Sequence, residues 1–81
     1  ESGFGRYDVM LIPHDKEKNA IILEFKVFDS DEEQDLKDTV QAALKQIEEK
    51  QYDTELLALG IPKDHIRHYG FAFEGKKVLI G

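Results

Sequence analysis

The chain has 81 residues, 41% of them hydrophobic and 35% charged, which allows one domain with a modest core. It contains no cysteine, excluding disulfides and thiolate zinc sites, and no apolar run that approaches a membrane span. Its formal net charge of −6 withholds the basic surface of a generic nucleic-acid binder, although Asp29, Asp31, Glu32, Glu33 and Asp35 crowd one short stretch and leave the rest nearly balanced.

Residues 7–13 and 20–28 read as the first two strands. Both are apolar at odd and even positions alike, the pattern of a sheet covered on both faces. Asp8 interrupts the first run, and Glu24 and Lys26 interrupt the second. Burying such charges costs on the order of several kcal/mol each unless they are paired or bound to a metal. The polar stretch Pro13 to Asn19 reads as a hairpin connection, so the strands should pair antiparallel. A turn centred near Lys16 sets Asp8 opposite Glu24; a shift by one pairing step sets Asp8 opposite Lys26. Either way the three side chains share one face. Directly opposed residues have Cβ atoms roughly 4.5–5.5 Å apart, close enough for two carboxylates to share a divalent cation. The alternative is an ion-pair network without a ligand. One lysine between two carboxylates leaves negative charge over, which makes a cation the more natural partner.

A long helix follows over residues 31–50. Ser30 with Glu33 forms a capping-box pattern, and Leu36, Val40, Ala43, Leu44 and Ile47 recur at helical spacing. Its early acids favour the helix dipole. Gln46 falls at the flank of the apolar stripe, where it is either a plain solvated side chain or one that reaches the edge of a site. A short helix over residues 54–59 ends at Gly60, and Pro62 blocks its continuation. Residues 65–73 and 77–80 read as two further strands joined at Glu74-Gly75-Lys76.

Three other patterns are weaker. Gly3-Phe4-Gly5 precedes a strand instead of linking a strand to a helix, so it reads as a flexible strand entry more than a phosphate cradle. His65 and His68 would fall on opposite faces of a strand, which reads as two surface histidines. Tyr69, Phe71 and Phe73 alternate on one strand face and read as an aromatic core row, with base stacking the lesser option. Arg6, Lys26, Lys76 and Lys77 are the cations available to line a groove.

Taken together, Arg6-Tyr7-Asp8, Ile22-Leu23-Glu24-Phe25-Lys26, Ala42-Ala43-Leu44-Lys45-Gln46-Ile47 with Lys50 and Tyr52, Tyr69 to Phe73, and Gly75-Lys76-Lys77-Val78 carry a resemblance along nearly the whole chain. An Asp on one strand followed by Glu-x-Lys on the next resembles the PD-(D/E)XK nuclease superfamily. More narrowly, the order of these segments is similar to the nuclease-like domain at the C-terminal end of bacterial AAA-ATPase-like proteins. Tyr7 stands before Asp8 where proline is common in the superfamily.

The resemblance implies an α/β, restriction-endonuclease-like core with a mixed sheet of about four strands. It implies a metal-dependent nuclease acting on DNA, with Asp8 and Glu24 binding Mg2+ or Mn2+ and the main-chain carbonyl of Phe25 as a third ligand. Lys26 takes the position of the lysine that orients or deprotonates the attacking water. Gln46 matches a helix glutamine beside the site, and Tyr52 accompanies it. The alternative within the same fold is an inactive module that binds DNA or protein. Superfamily members begin with a helix and a strand that would lie upstream of Glu1. The expectation is therefore one nuclease-like domain over residues 1–81, a fragment of a longer cytoplasmic bacterial chain with an ATPase-like region. A bare sheet face and edge in such a fragment predict a homodimer or strand exchange.

Overall fold

A computed structural model describes residues 6–15 and 17–81. The elements run β1 (Arg6–Leu11), β2 (Ala20–Val27), α1 (Leu36–Lys50), α2 (Tyr52–Ala58), a single 3-10 turn (Lys63–His65), β3 (Ile66–Glu74) and β4 (Lys77–Ile80). The strands form one mixed sheet in the order β1-β2-β3-β4. The β1/β2 and β3/β4 pairs are antiparallel hairpins, whereas β2 and β3 run parallel and therefore need the helical crossover that α1 and α2 provide. The expected architecture is thus present, with element ends shifted by a few residues.

Along β2 burial alternates strictly. Ala20, Ile22, Glu24 and Lys26 are buried, while Ile21, Leu23 and Phe25 are half-buried. The buried row meets the helices: Ala20, Ile22 and Ile66 of the sheet pack with Ile47 of α1, Leu56 of α2 and Ile61. The opposite face carries Tyr7, Phe25, Phe71 and Phe73, with Phe25 4.9 Å from Phe71 and 5.5 Å from Tyr7 between ring centroids. Two expectations are corrected here. Among the described residues only one face of the sheet is covered, so apolar residues at every position did not mean two covered faces. Likewise Phe71 and Phe73 are half-buried and Tyr69 is 39% exposed, so this aromatic row lies on the open face and not in the core.

The largest departure is at the start of α1. Ser30 and Glu33 do not cap it; the N-cap is Asp35, whose side chain accepts from the Asp38 N–H at 3.1 Å. Residues 29–34 instead form tight turns, with the Glu33 N–H donating to the Asp29 carbonyl at 2.8 Å. Glu33 is buried and faces the sheet, for a reason that becomes clear at Lys26. At its other end α1 stops at Gln51, a non-glycine residue in the left-handed region at φ 56°, and α2 begins at the next residue.

Candidate functional site

The hairpin register brings Asp8 directly opposite Glu24, while Lys26 pairs with Arg6 one step along the same face. Glu24 also pairs with Gly70 on β3, so it sits at the centre of the sheet beneath α1 and is 1% exposed. Asp8 lies on the edge strand, its side chain 33% exposed. The two carboxylates therefore differ in kind. One is sealed beneath the helix, and the other faces solvent at the rim.

Two donors from the α1–α2 junction converge on Asp8. Lys50 Nζ lies 2.7 Å from Asp8 Oδ2, and the Tyr52 hydroxyl donates to the same oxygen. The two donors flank Gln51, whose left-handed backbone separates the end of α1 from the start of α2. These hydrogen bonds, Lys50 first, hold the Asp8 carboxyl below its ordinary value of 3.8. Reciprocally, the Asp8 bond raises the Lys50 ammonium, and Glu24 acts on it in the same direction through space. Burial, with Asp8 second, pushes the Tyr52 phenol up.

Lys26 is ion-paired with a third carboxylate, Glu33. Its Nζ lies 2.6 Å from Glu33 Oε2, both side chains being nearly sealed at 8% and 6% exposed. Glu33 Oε1 accepts from the Thr39 hydroxyl at 2.7 Å and from the Asp29 N–H at 2.9 Å. This explains the abandoned capping box. A buried ammonium on β2 requires a buried anion, and that demand outweighs a local cap of about 1 kcal/mol. A cleft lined by Lys26, Asp29, Glu32, Glu33, Asp38 and Gln41 opens beside the pair, and its acids repel phosphate from that side.

The pair has a pH signature. Burial, the largest influence on Glu33, opposes its ionisation. The Lys26, Asp29 and Thr39 contacts outweigh that effect and leave the carboxyl below 4.5. A carboxyl lowered on folding contributes stability that is complete above its unfolded value and is lost as pH falls through its folded one. Wild-type protein should therefore hold a flat melting temperature near neutrality and lose it below about pH 4.5. For a domain of this size, each kcal/mol lost lowers the melting temperature by about 4–8 °C. Melting curves of wild type and Glu33→Gln from pH 7 to pH 3 check this, the variant being less stable at pH 7 and shallower in its acid response.

Other sequence-based candidates are distributed as follows. Gln46 is half-buried on α1, one turn before Lys50 and so on the same side of the helix. The Phe25 ring faces away from the site, leaving only its main chain at the level of Asp8 and Glu24. His65 belongs to the 3-10 turn and His68 to β3; both are half-buried, and His68 Nε2 lies 2.7 Å from Asp53 Oδ1, tying β3 to α2. They are therefore not a surface pair. Lys76 and Lys77 are exposed at the β3–β4 turn, while Lys26 contributes to the acidic cleft beside Glu33 and not to a basic groove. The Arg6 side chain, Gly3-Phe4-Gly5 and the turn centre at Lys16 lie outside the described residues.

Sequence reasoning missed the roles of Glu33 and Lys50. The signal for Glu33 was present: a buried strand lysine followed within ten residues by five acids implies that one of them turns inward. Among the described residues, no group of three or more His, Cys, Asp or Glu side chains is gathered to hold a metal ion. Nor is any helix long and apolar enough to cross a membrane. A family model described as the PD-(D/E)XK nuclease superfamily matches residues 1–81. No curated protein and no solved structure matches the chain.

Proposed function

Because the chain belongs to the PD-(D/E)XK nuclease superfamily, we propose that it is a metal-dependent nuclease that hydrolyses phosphodiester bonds in DNA. The observation that carries this reading is the cross-strand pair of Asp8 and Glu24, with Lys26 two residues along on the same face. The donor set fits a hard cation. Asp8, Glu24 and the main-chain carbonyl of Phe25 would supply oxygen to Mg2+ or Mn2+, and one or two carboxylates are the usual protein share when water and a substrate phosphate complete the shell. Bound there, the ion supplies Lewis-acid polarisation of the phosphoryl group and of a coordinated water.

The chain's own residues do the rest. Lys26, fixed by Glu33, orients the attacking water and stabilises charge developing on the phosphate. Gln46 acts from the flank of α1. The acids beside Glu33 favour substrate entry over the Asp8, Lys50 and Tyr52 rim. In this reading the domain works beside an ATPase-like region of a longer bacterial cytoplasmic chain, and the open sheet face associates with a second copy.

A specific observation favours a second reading, an inactive module that binds DNA or protein: Asp8 and Lys26 each already hold an ion-pair partner. Calorimetric titration with Mg2+ and Mn2+, paired with cleavage of labelled single- and double-stranded DNA, separates the two. The nuclease reading expects metal binding and cleavage in wild type and loss of both in Asp8→Ala and in Glu24→Gln, which keeps the buried volume. Wild-type protein that neither binds metal nor cuts DNA rules out the nuclease reading and leaves the second standing.

A further inference from the structure

We propose that Lys50 is a resident counter-cation of Asp8 that a divalent metal bound through Asp8 Oδ2 displaces, so that Lys50 sets the metal affinity of the site. The inference rests on the reading that Asp8 and Glu24 bind a metal. Its ground is the identity of the atom already in use. Asp8 Oδ2 accepts from the Lys50 ammonium at 2.7 Å and from the Tyr52 hydroxyl as well. A carboxylate oxygen with two donors on it has little lone-pair density left in those directions. An ion taking that oxygen must move at least one of them.

Charge identifies which one moves. A divalent cation and an ammonium on the same carboxylate repel each other strongly at contact distances, whereas a neutral phenol does not oppose the ion.

Exposure separates the two lysines of the site. The Lys50 and Asp8 side chains are 31% and 33% exposed, so the ammonium can exchange its carboxylate for water. Lys26 and Glu33 are sealed and carry further hydrogen bonds, so that pair stays fixed. One lysine is permanently anchored and the other is releasable. Lys50 is the last residue of α1 and precedes the left-handed cap at Gln51, so release of its side chain disturbs neither the helix ladder nor the core.

The test is calorimetric titration of Mg2+ and Mn2+ into wild type, Lys50→Met and Lys50→Arg. Removing the competing charge should tighten binding about tenfold in Lys50→Met, while Lys50→Arg, which keeps the charge, should bind no more tightly than wild type. A lysine that merely braced the fold would weaken binding when removed, so a gain of affinity is diagnostic. Unchanged or weaker binding by Lys50→Met overturns the inference and leaves the nuclease reading standing. Absence of binding in all three proteins overturns both. Should Lys50→Met not fold, the side-chain nitrogen resonance of Lys50 in wild type decides the matter. It should lose its carboxylate-bound character as metal saturates, and persistence of the Lys50–Asp8 contact at saturation overturns the inference.

Discussion

Lys26→Met is expected to lower stability by about 3–5 kcal/mol, the cost of removing one partner from a buried ion pair. For a small domain whose total stability is typically about 5–15 kcal/mol, that brings the fold close to its limit. The substitution matches the volume of the lysine stem, so packing on β2 changes little. The damage falls on Glu33, left 9% exposed with its Thr39 and Asp29 donors but without its cation. Glu33→Gln should cost less, because an amide keeps an acceptor for Thr39 or Asp29 and carries no uncompensated charge. The double variant, with neither charge buried, should be more stable than Lys26→Met alone. A double-mutant cycle by denaturant unfolding measures this coupling, and additivity within about 0.5 kcal/mol would contradict it. Function gives an independent readout under the proposed mechanism. Both single variants should lose DNA cleavage while keeping metal binding, since Asp8 and Glu24 are untouched in each.

Much of this was legible because strand parity is rigid. Two acids on paired strands, joined by a polar connection of known length, leave few registers, and the simplest set Asp8 against Glu24. The long helix was equally legible in its body, since Val40, Ala43 and Ile47 keep the helical period. What failed was local reading where tertiary demand competes with it. Ser30 and Glu33 have the spacing of a helix cap, but Lys26 draws Glu33 into the sheet, and Asp35 takes over the cap five residues later. The meeting of Lys50 and Tyr52 on Asp8 spans a left-handed residue, Gln51, and glutamine carries no signal for that conformation. The lesson is specific to buried charge. A lone cation on an apolar strand predicts that a partner exists, but only the path of the chain decides which acid it is.

Gly70→Ala is expected to destabilise the fold by about 1–3 kcal/mol, the usual cost of overpacking a filled interior, and to disturb the site from a distance. Gly70 lies opposite Glu24 at the point where α1 crosses the sheet. An added Cβ would stand 2.9 Å from the Val40 carbonyl oxygen, 3.1 Å from Ala43 Cβ and 3.4 Å from Leu44 Cγ. The nearest of these is helix backbone, so the strain cannot be absorbed by a side chain changing rotamer. Either α1 lifts or β3 bends, and β3 is tied at this residue by reciprocal 3.0 Å hydrogen bonds with Gly81. With space to spare, a Gly→Ala change at an ordinary backbone conformation would stabilise by about 0.4–1 kcal/mol through the unfolded chain, so the sign of the effect is itself the test of close approach. Gly75 serves as the control. Its φ of +60° strains any side chain, yet nothing lies within 4 Å of it, so Gly75→Ala should cost only about 1–2 kcal/mol and leave α1 in place. Lifting α1 over Glu24 would move Lys50, about 15 Å along the helix from Val40, relative to Asp8. Denaturant unfolding of both variants with parallel metal titration should therefore find two destabilised proteins, of which only Gly70→Ala has altered metal affinity.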